Sequence, residues 1–241
     1  MRFSLVVPAY NEAGYLPRLL ESVEAARGAY RGGPSQVEVI VADNASTDAT
    51  AAVARERGCR VVRVEKRAIA AARNGGAAAA TGEVLCFVDA DSRLHPASFD
   101  RIDEVLRPHV VAGATGVRPE RWSPGFAVTW ALMIPFVWLT GMDTGVVFCR
   151  RADFAAIGGY DESLLFAEDV DFLLRLRRLG RSRGQRLTRM RGAKTIASVR
   201  KFDEHGDWHY LTLMPRVAAG WLLRRDTGRA FAERYWYRPN R

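Results

Sequence analysis

Four short apolar runs, each followed by a segment of a different period, constrain the architecture of this chain more than any other feature. Residues 3–7, 37–41, 61–64 and 84–88 are rich in valine, leucine and isoleucine and show little polar alternation. The run 84–88, with no polar break, reads as a strand buried on both faces. Residues 12–26 place Leu16, Leu19, Leu20 and Val23 on one helical face, and residues 49–57 follow the cap-like Ser46-Thr47-Asp48. Residues 69–80 are alanine-rich and read as a third helix, although Gly75 and Gly76 weaken it. Pro8 closes the first strand in this reading. Strands alternating with helices predict an α/β fold with a parallel sheet, whose ligands bind beyond the carboxyl ends of the strands.

The acidic residues fall at those ends. Asp43 follows Val41-Ala42, and Asp89 and Asp91 follow Phe87-Val88 with one alanine between them. Two carboxylates so close repel unless a cation or water lies between them. Hard oxygen donors suit Mg²⁺ or Mn²⁺, usually completed by substrate phosphates and water. A solvated turn is the plainer account of Asp89-Ala90-Asp91, as an N-cap is of Ser46 to Asp48. Asp43 can accept from a nucleobase edge or a ribose hydroxyl.

Further on, Val170, Leu173, Leu174 and Arg177 keep a helical period, so Glu168 and Asp169 lie in a first turn. The helix dipole favours acids there. A general base aimed into the crevice is the functional reading. Gly158-Gly159-Tyr160-Asp161-Glu162-Ser163, just before, reads as a flexible loop able to close over a ligand.

Charge divides the chain. The net +9 arises after residue 174: residues 1–174 sum to −4 and residues 175–241 to +13. The arginines at 175, 177, 178, 181, 183, 186, 189 and 191 suit a solvated face, a diphosphate or an anionic membrane; no reader motif accompanies them, so nucleic acid is not expected. Cys59, Cys86 and Cys149 are scattered, which disfavours zinc or a disulfide framework and fits a cytoplasmic setting. No leader is recognised at the N-terminus. Residues 126–139 form the longest apolar stretch, interrupted by Pro135 and short of the roughly 20 residues that span a bilayer. Trp122, Phe126, Trp130 and Trp138 there read as core or as a platform for a sugar ring or polyprenyl chain.

Six motifs occur in order: Ser4-Leu5-Val6-Val7-Pro8-Ala9-Tyr10-Asn11-Glu12, Asp43-Asn44-Ala45-Ser46-Thr47-Asp48, Ala72-Arg73-Asn74-Gly75-Gly76, Asp89-Ala90-Asp91, Gly158-Gly159-Tyr160-Asp161-Glu162 and Glu168-Asp169. Together they resemble the family-2 glycosyltransferases of GT-A fold, over about residues 3–180. The resemblance implies a mostly parallel central sheet flanked by helices. It also implies inverting, metal-dependent transfer of a sugar from a nucleoside diphosphate donor, UDP first and GDP next, to an acceptor hydroxyl. By matching positions, Pro8, Tyr10 and Glu12 line the nucleotide pocket, Asp43 holds the base and Arg73 lies near the ribose or diphosphate. Asp89 meets ribose or a metal-bound water, Asp91 binds Mn²⁺ or Mg²⁺, and Asp169 deprotonates the acceptor with Glu168 beside it. His205 or His209 is a candidate third ligand, as in some relatives, although a surface histidine explains each as well.

The expected organisation is a GT-A domain over residues 1–195, with a nucleotide-binding half at 1–92 and an acceptor-binding half at 93–195. A basic helical extension occupies residues 196–241. Expected partners are the nucleotide sugar, an acceptor that includes lipid-linked or cell-envelope glycans, and the inner face of an anionic membrane through peripheral contact; oligomeric state is not legible. Ser92 stands where many relatives carry a third acid, and no Gln-x-x-Arg-Trp motif or spanning helix points to processive synthesis. A sugar-phosphate nucleotidyltransferase is the enzymatic alternative, disfavoured by the acidic Ala9–Gly14 turn. A non-catalytic membrane- or nucleic-acid-binding domain is the other, and it leaves the aspartates without a role.

Overall fold

The computed structural model describes residues 1–140, 143–164, 167–190 and 192–208. Seven strands form one mixed sheet. In chain order the elements that build its first half are β1 (Phe3–Ala9), α1 (Leu16–Ala29), β2 (Val37–Asp43), α2 (Thr50–Glu56), β3 (Arg60–Arg63), α3 (Ile69–Ala78) and β4 (Val84–Phe87). The second half adds α4 (Ser98–Val105), β5 (Val110–Ala114), β6 (Val117–Pro119), α5 (Pro124–Thr140), β7 (Val147–Arg150) and α6 (Arg151–Ala156). It closes with α7 (Glu168–Ser182), β8 (Arg186–Arg189), β9 (Thr195–Ala197) and α8 (Arg200–His205).

The sheet order is β3-β2-β1-β4-β7-β5-β8, and β6 and β9 pair as a separate parallel ribbon. β7 alone runs antiparallel, between β4 and β5. The expected α/β, mostly parallel sheet is therefore present, with one reversed strand at its centre. β1, β4 and β5 are buried along their whole length, as the apolar runs require. One core cluster packs α1 and α4 on Phe3, Leu5, Val7 and Phe148; the other packs α3 and α7 on Val6, Leu85, Phe87 and Cys149. Alternate residues of a strand thus feed opposite cores.

Two local expectations needed correction. Pro8 lies inside β1 instead of ending it. The ladder to β4 stops at Val6–Phe87, followed by the bond from Val88 N to Val6 O, so the side toward which residue 8 points asks for no N–H. Gly75 and Gly76 lie within α3 and serve packing. A Cβ at 75 would collide with Val64 and one at 76 with Val6, so the two glycines let α3 lie directly on the sheet.

The described residues after 195, up to 208, return to the sheet. β9 runs across position 195, and α8 returns to the β1 end of the sheet through Arg200. His205 closes α8, while His209 lies outside the described residues. No helix among the described residues is long and apolar enough to cross a membrane.

Candidate active site

The crevice lies beyond the ends of β1, β2 and β4, where the loops are stitched together by short polar side chains. Asp43 ends β2, is buried, and accepts from Ser46 N at 3.0 Å. Asp48 accepts from Ala13 N at 3.1 Å and Thr50 N at 2.9 Å, and Thr50 Oγ1 accepts from Glu12 N at 2.8 Å. Asn11, in left-handed backbone (φ 53°), receives Ser46's hydroxyl as acceptor for its own N–H at 3.1 Å. The Asp/Ser/Thr turn is thus a brace between β1 and β2, with no side-chain cap on α2. Tyr10 stands at the same rim, with the Arg67 guanidinium stacked 3.8 Å from its ring centroid.

Two guanidiniums organise the carboxylates. Arg73, in the middle of α3 and almost wholly buried, donates from Nη1 to Glu168 Oε1 at 2.8 Å and to Asp169 Oδ1 at 2.7 Å. Its Nη2 reaches Asp89 Oδ1 at 3.1 Å, and Tyr160 lies beneath it with 5.1 Å to the ring centroid. Burial works against the Arg73 charge, but Asp169, Asp89 and Glu168 outweigh it and hold the pKa above the ordinary arginine value. The expected neighbour of Arg73 was ribose or diphosphate; in this structure its partners are the proposed base cluster and Asp89. It ties the exit of β4 to the start of α7.

Asp169 is pushed up to about 6, first by burial and then by Glu168 and Asp89, with Arg73 opposing the rise. Glu168 is the more enclosed of the two, its side chain 10% exposed against 30% for Asp169. Both lie in the first turn of α7, after Ala167 in left-handed backbone (φ 58°).

Asp91 faces the other guanidinium. Arg200, the first residue of α8, makes a bidentate pair with Glu12, Nη1–Oε2 2.9 Å and Nη2–Oε1 3.0 Å. Its Nη2 lies 3.3 Å from Asp91 Oδ2. Asp91 is raised to about 6 by burial and then by the Asp89 charge, against the pull of Arg200. Asp89 and Asp91 therefore share one electrostatic environment while pairing with different cations. Among the described residues no group of three or more His, Cys, Asp or Glu side chains is arranged to hold a metal ion. The donor set fits a divalent ion as two hard carboxylates that need further oxygens, such as those of a diphosphate.

The Gly158–Ser163 segment is fastened, contrary to the expected mobile flap. Asn74 donates Nδ2 to Tyr160 O at 2.9 Å and accepts from Tyr160 N at 2.8 Å, and a side chain at Gly159 (φ 73°) would collide with Asn74 Oδ1. The basic stretch is partly internal as well: Arg175 pairs with Asp171, Arg183 with Asp153 and Arg189 with Asp143. Phe126 is buried, while Trp122 is 61% exposed.

Residues 4–157 match the model of glycosyl transferase family 2. The chain belongs to that family. It is 33% identical over 119 residues to an uncharacterized glycosyltransferase of Nostoc sp., covering 47% of this chain and 35% of that protein. A dolichyl-phosphate beta-glucosyltransferase of Drosophila melanogaster is 33% identical over 117 residues, covering 44% of this chain and 36% of that protein. The chain thus spans about a third of the length of these curated relatives. Among solved structures, the mannosyltransferase PcManGT from Pyrobaculum calidifontis in complex with GDP-Man and Mn²⁺ superposes with a TM-score of 0.64 at 21% identity, covering 82% of this chain and 57% of that one. S. aureus TarS in complex with UDP-GlcNAc gives 0.62 at 24%, covering 82% and 58%. These structures establish the GT-A glycosyltransferase fold for this family-2 chain.

The residue that sequence reading passed over is Arg200. It sits within a tail whose summed charge obscured any single arginine. Its local signal was Ser198-Val199-Arg200 directly after the short β-forming Thr195-Ile196-Ala197, a strand-end position like those of Asp43 and Asp89.

Proposed function

We propose that this chain transfers a sugar from a nucleoside diphosphate donor to an acceptor hydroxyl with inversion at the anomeric carbon. The observation that carries the reading is the Arg73 bridge, because it brings Asp89 from the donor side and Glu168-Asp169 from the far side to one guanidinium. UDP is the first donor to test and GDP the second, since the solved neighbours hold UDP-GlcNAc and GDP-Man.

Asp169 is the base. Its exposed share leaves an oxygen for the acceptor, and a pKa near 6 lets it be ionised at neutral pH yet accept a proton as the oxygen attacks. Glu168 and Arg73 hold it in place. The acceptor O–H proton passes to Asp169, the oxygen bonds to the anomeric carbon, and the carbon–oxygen bond to the diphosphate breaks with its electron pair leaving on the diphosphate. Asp91, with Asp89, would hold Mn²⁺ or Mg²⁺, which supplies charge neutralisation to the departing diphosphate. Asp43, Pro8 and Tyr10 form the nucleotide rim. A single displacement needs no carboxylate nucleophile on the donor face.

The acceptor in this reading carries an apolar chain. Support comes from α5, which has no charged residue and exposes Val128, Leu132 and Ile134 beside Trp122. Arg178 and Arg181, toward the far end of α7, and Arg186, at the start of β8, are exposed and suit an anionic surface.

The test is single-turnover transfer from UDP- and GDP-sugars to a polyprenyl-diphosphate-linked sugar, whose free hydroxyl is the acceptor, with the product anomer read by NMR. Inversion is expected. Retention of configuration would remove Asp169 from the role of base acting on the acceptor in one displacement.

A further inference from the structure

The crevice carries a cation of its own at the position where the proposed metal would act. Arg200 is held on three sides by groups from separate parts of the chain. Glu12, from the loop after β1, takes both of its amino groups. Asp91, beyond β4, takes a single longer contact of 3.3 Å. The Tyr15 ring lies 4.5 Å below the guanidinium carbon. The side chain is only 14% exposed, so this is an enclosed ion pair rather than a surface one. Without it, Asp91 would face the charges of Asp89 and Glu12 with nothing to offset them.

The two carboxylates do not hold Arg200 equally. Glu12 supplies a bidentate fork, whereas Asp91 supplies one oxygen at the far edge. A guanidinium and a divalent ion cannot share that oxygen closely, because their like charges repel. Loss of the Asp91 contact leaves the Glu12 fork intact and the side chain anchored.

We propose that Arg200 is the resident counter-cation of the donor site, a positioning residue that a divalent ion must displace from Asp91 while Glu12 retains it. This rests on the reading that Asp91 holds the metal. α8 also reaches beyond the site. Phe202 packs on Phe126 at 4.8 Å between centroids, and Arg121 pairs with Asp203 and Asp207, the latter at 3.0 Å. At Gly125 a Cβ would collide with the Asp207 backbone, so the start of α5 lies close against the turn that follows α8. The same short helix therefore touches the cation site at one end and the apolar acceptor helix at the other.

The experiment is titration of the whole chain with MnCl₂ in the presence of UDP and, separately, of GDP, free Mn²⁺ being read by electron paramagnetic resonance. Arg200→Gln is expected to bind Mn²⁺ roughly tenfold more tightly than the unsubstituted protein, the scale of an ordinary coupling between sites. Arg200→Lys, which keeps a charge but cannot fork Glu12, is expected to fall between them and serves if Arg200→Gln does not fold. Asp91→Asn should abolish the binding in every background. Unchanged or weaker Mn²⁺ binding in both Arg200 variants, with Asp91 still required, overturns the counter-cation role and leaves the metal reading standing. Mn²⁺ binding that survives Asp91→Asn, or is missing from all variants, overturns both.

Discussion

Arg73 and Arg200 do similar electrostatic work at opposite ends of one crevice, yet they are built differently. Arg73 is in the middle of a packed helix, is almost fully buried and meets three carboxylates. Arg200 begins a six-residue helix near the edge of the described chain and meets two. The first geometry is fixed by the core: α3 rests on β1 and β2 through Gly75 and Gly76, so the guanidinium has little freedom to move. The second is fixed by its partners, and one of those contacts is long. A site that must hold a base still and admit a metal benefits from one rigid cation and one that can yield.

The largest expected effect lies at the rigid end. Asp169→Asn should lower kcat by about 10²–10⁴-fold while leaving donor affinity within a few-fold, measured by transfer rate and by nucleotide titration. Donor affinity falling in step with rate would place Asp169 in donor binding instead. Arg73→Met should destabilise the fold by about 3–5 kcal/mol at pH 7, since buried carboxylates lose their shared partner. The deficit should shrink at pH 5, where Asp169, already raised to about 6 beside Arg73, takes up a proton. Arg200→Gln should cost less than Arg73→Met in the same melting series, and the reverse order would break the contrast between a rigid and a yielding cation.

The pH dependence follows from Asp169. Its folded pKa, about 6, lies above its ordinary value of 3.8, so the folded state binds the proton more tightly. Its contribution to stability is fully present below about 3.8 and is lost as pH rises through about 6. Activity runs the other way, since the ionised form is the base: kcat should rise through pH 6 and level off above it. A flat profile between pH 5 and 7.5, with chemistry rate-limiting, would exclude this assignment. Smallest of all is the effect expected on α5. Leu132→Glu should reduce transfer to a sugar hydroxyl carried on a long polyprenyl diphosphate and leave transfer to a short soluble acceptor nearly unchanged.

The same contrast explains what could be read from the residues alone. The first four strands and their helices were legible as apolar runs alternating with helical periods, β1 and β4 being buried throughout. Asp43 and Asp89 were legible because they stand where such runs stop, and Asp169 because it opens a helical period. Gly75 and Gly76 misled, since helix propensity penalises glycine while close packing on Val6 and Val64 demands it. Strand β7 inserts antiparallel between β4 and β5, a pairing set by contacts between residues distant in sequence, as in Leu85–Cys149 and Ala114–Val147. The Glu12–Arg200 pair spans 188 positions, and no local pattern encodes it. Arg73 could be found as part of a motif, but its partners could be found only after folding.

The central claim is that Asp91 holds a divalent ion through which this crevice grips a nucleoside diphosphate. Thermal melting of the unsubstituted chain and of Asp91→Asn, with UDP- and GDP-sugars and with or without Mn²⁺, addresses it most directly. The account predicts a rise in Tm with one nucleotide that requires Mn²⁺ and disappears in Asp91→Asn. A rise of equal size without Mn²⁺ or in the variant, or no rise with either nucleotide, would contradict it.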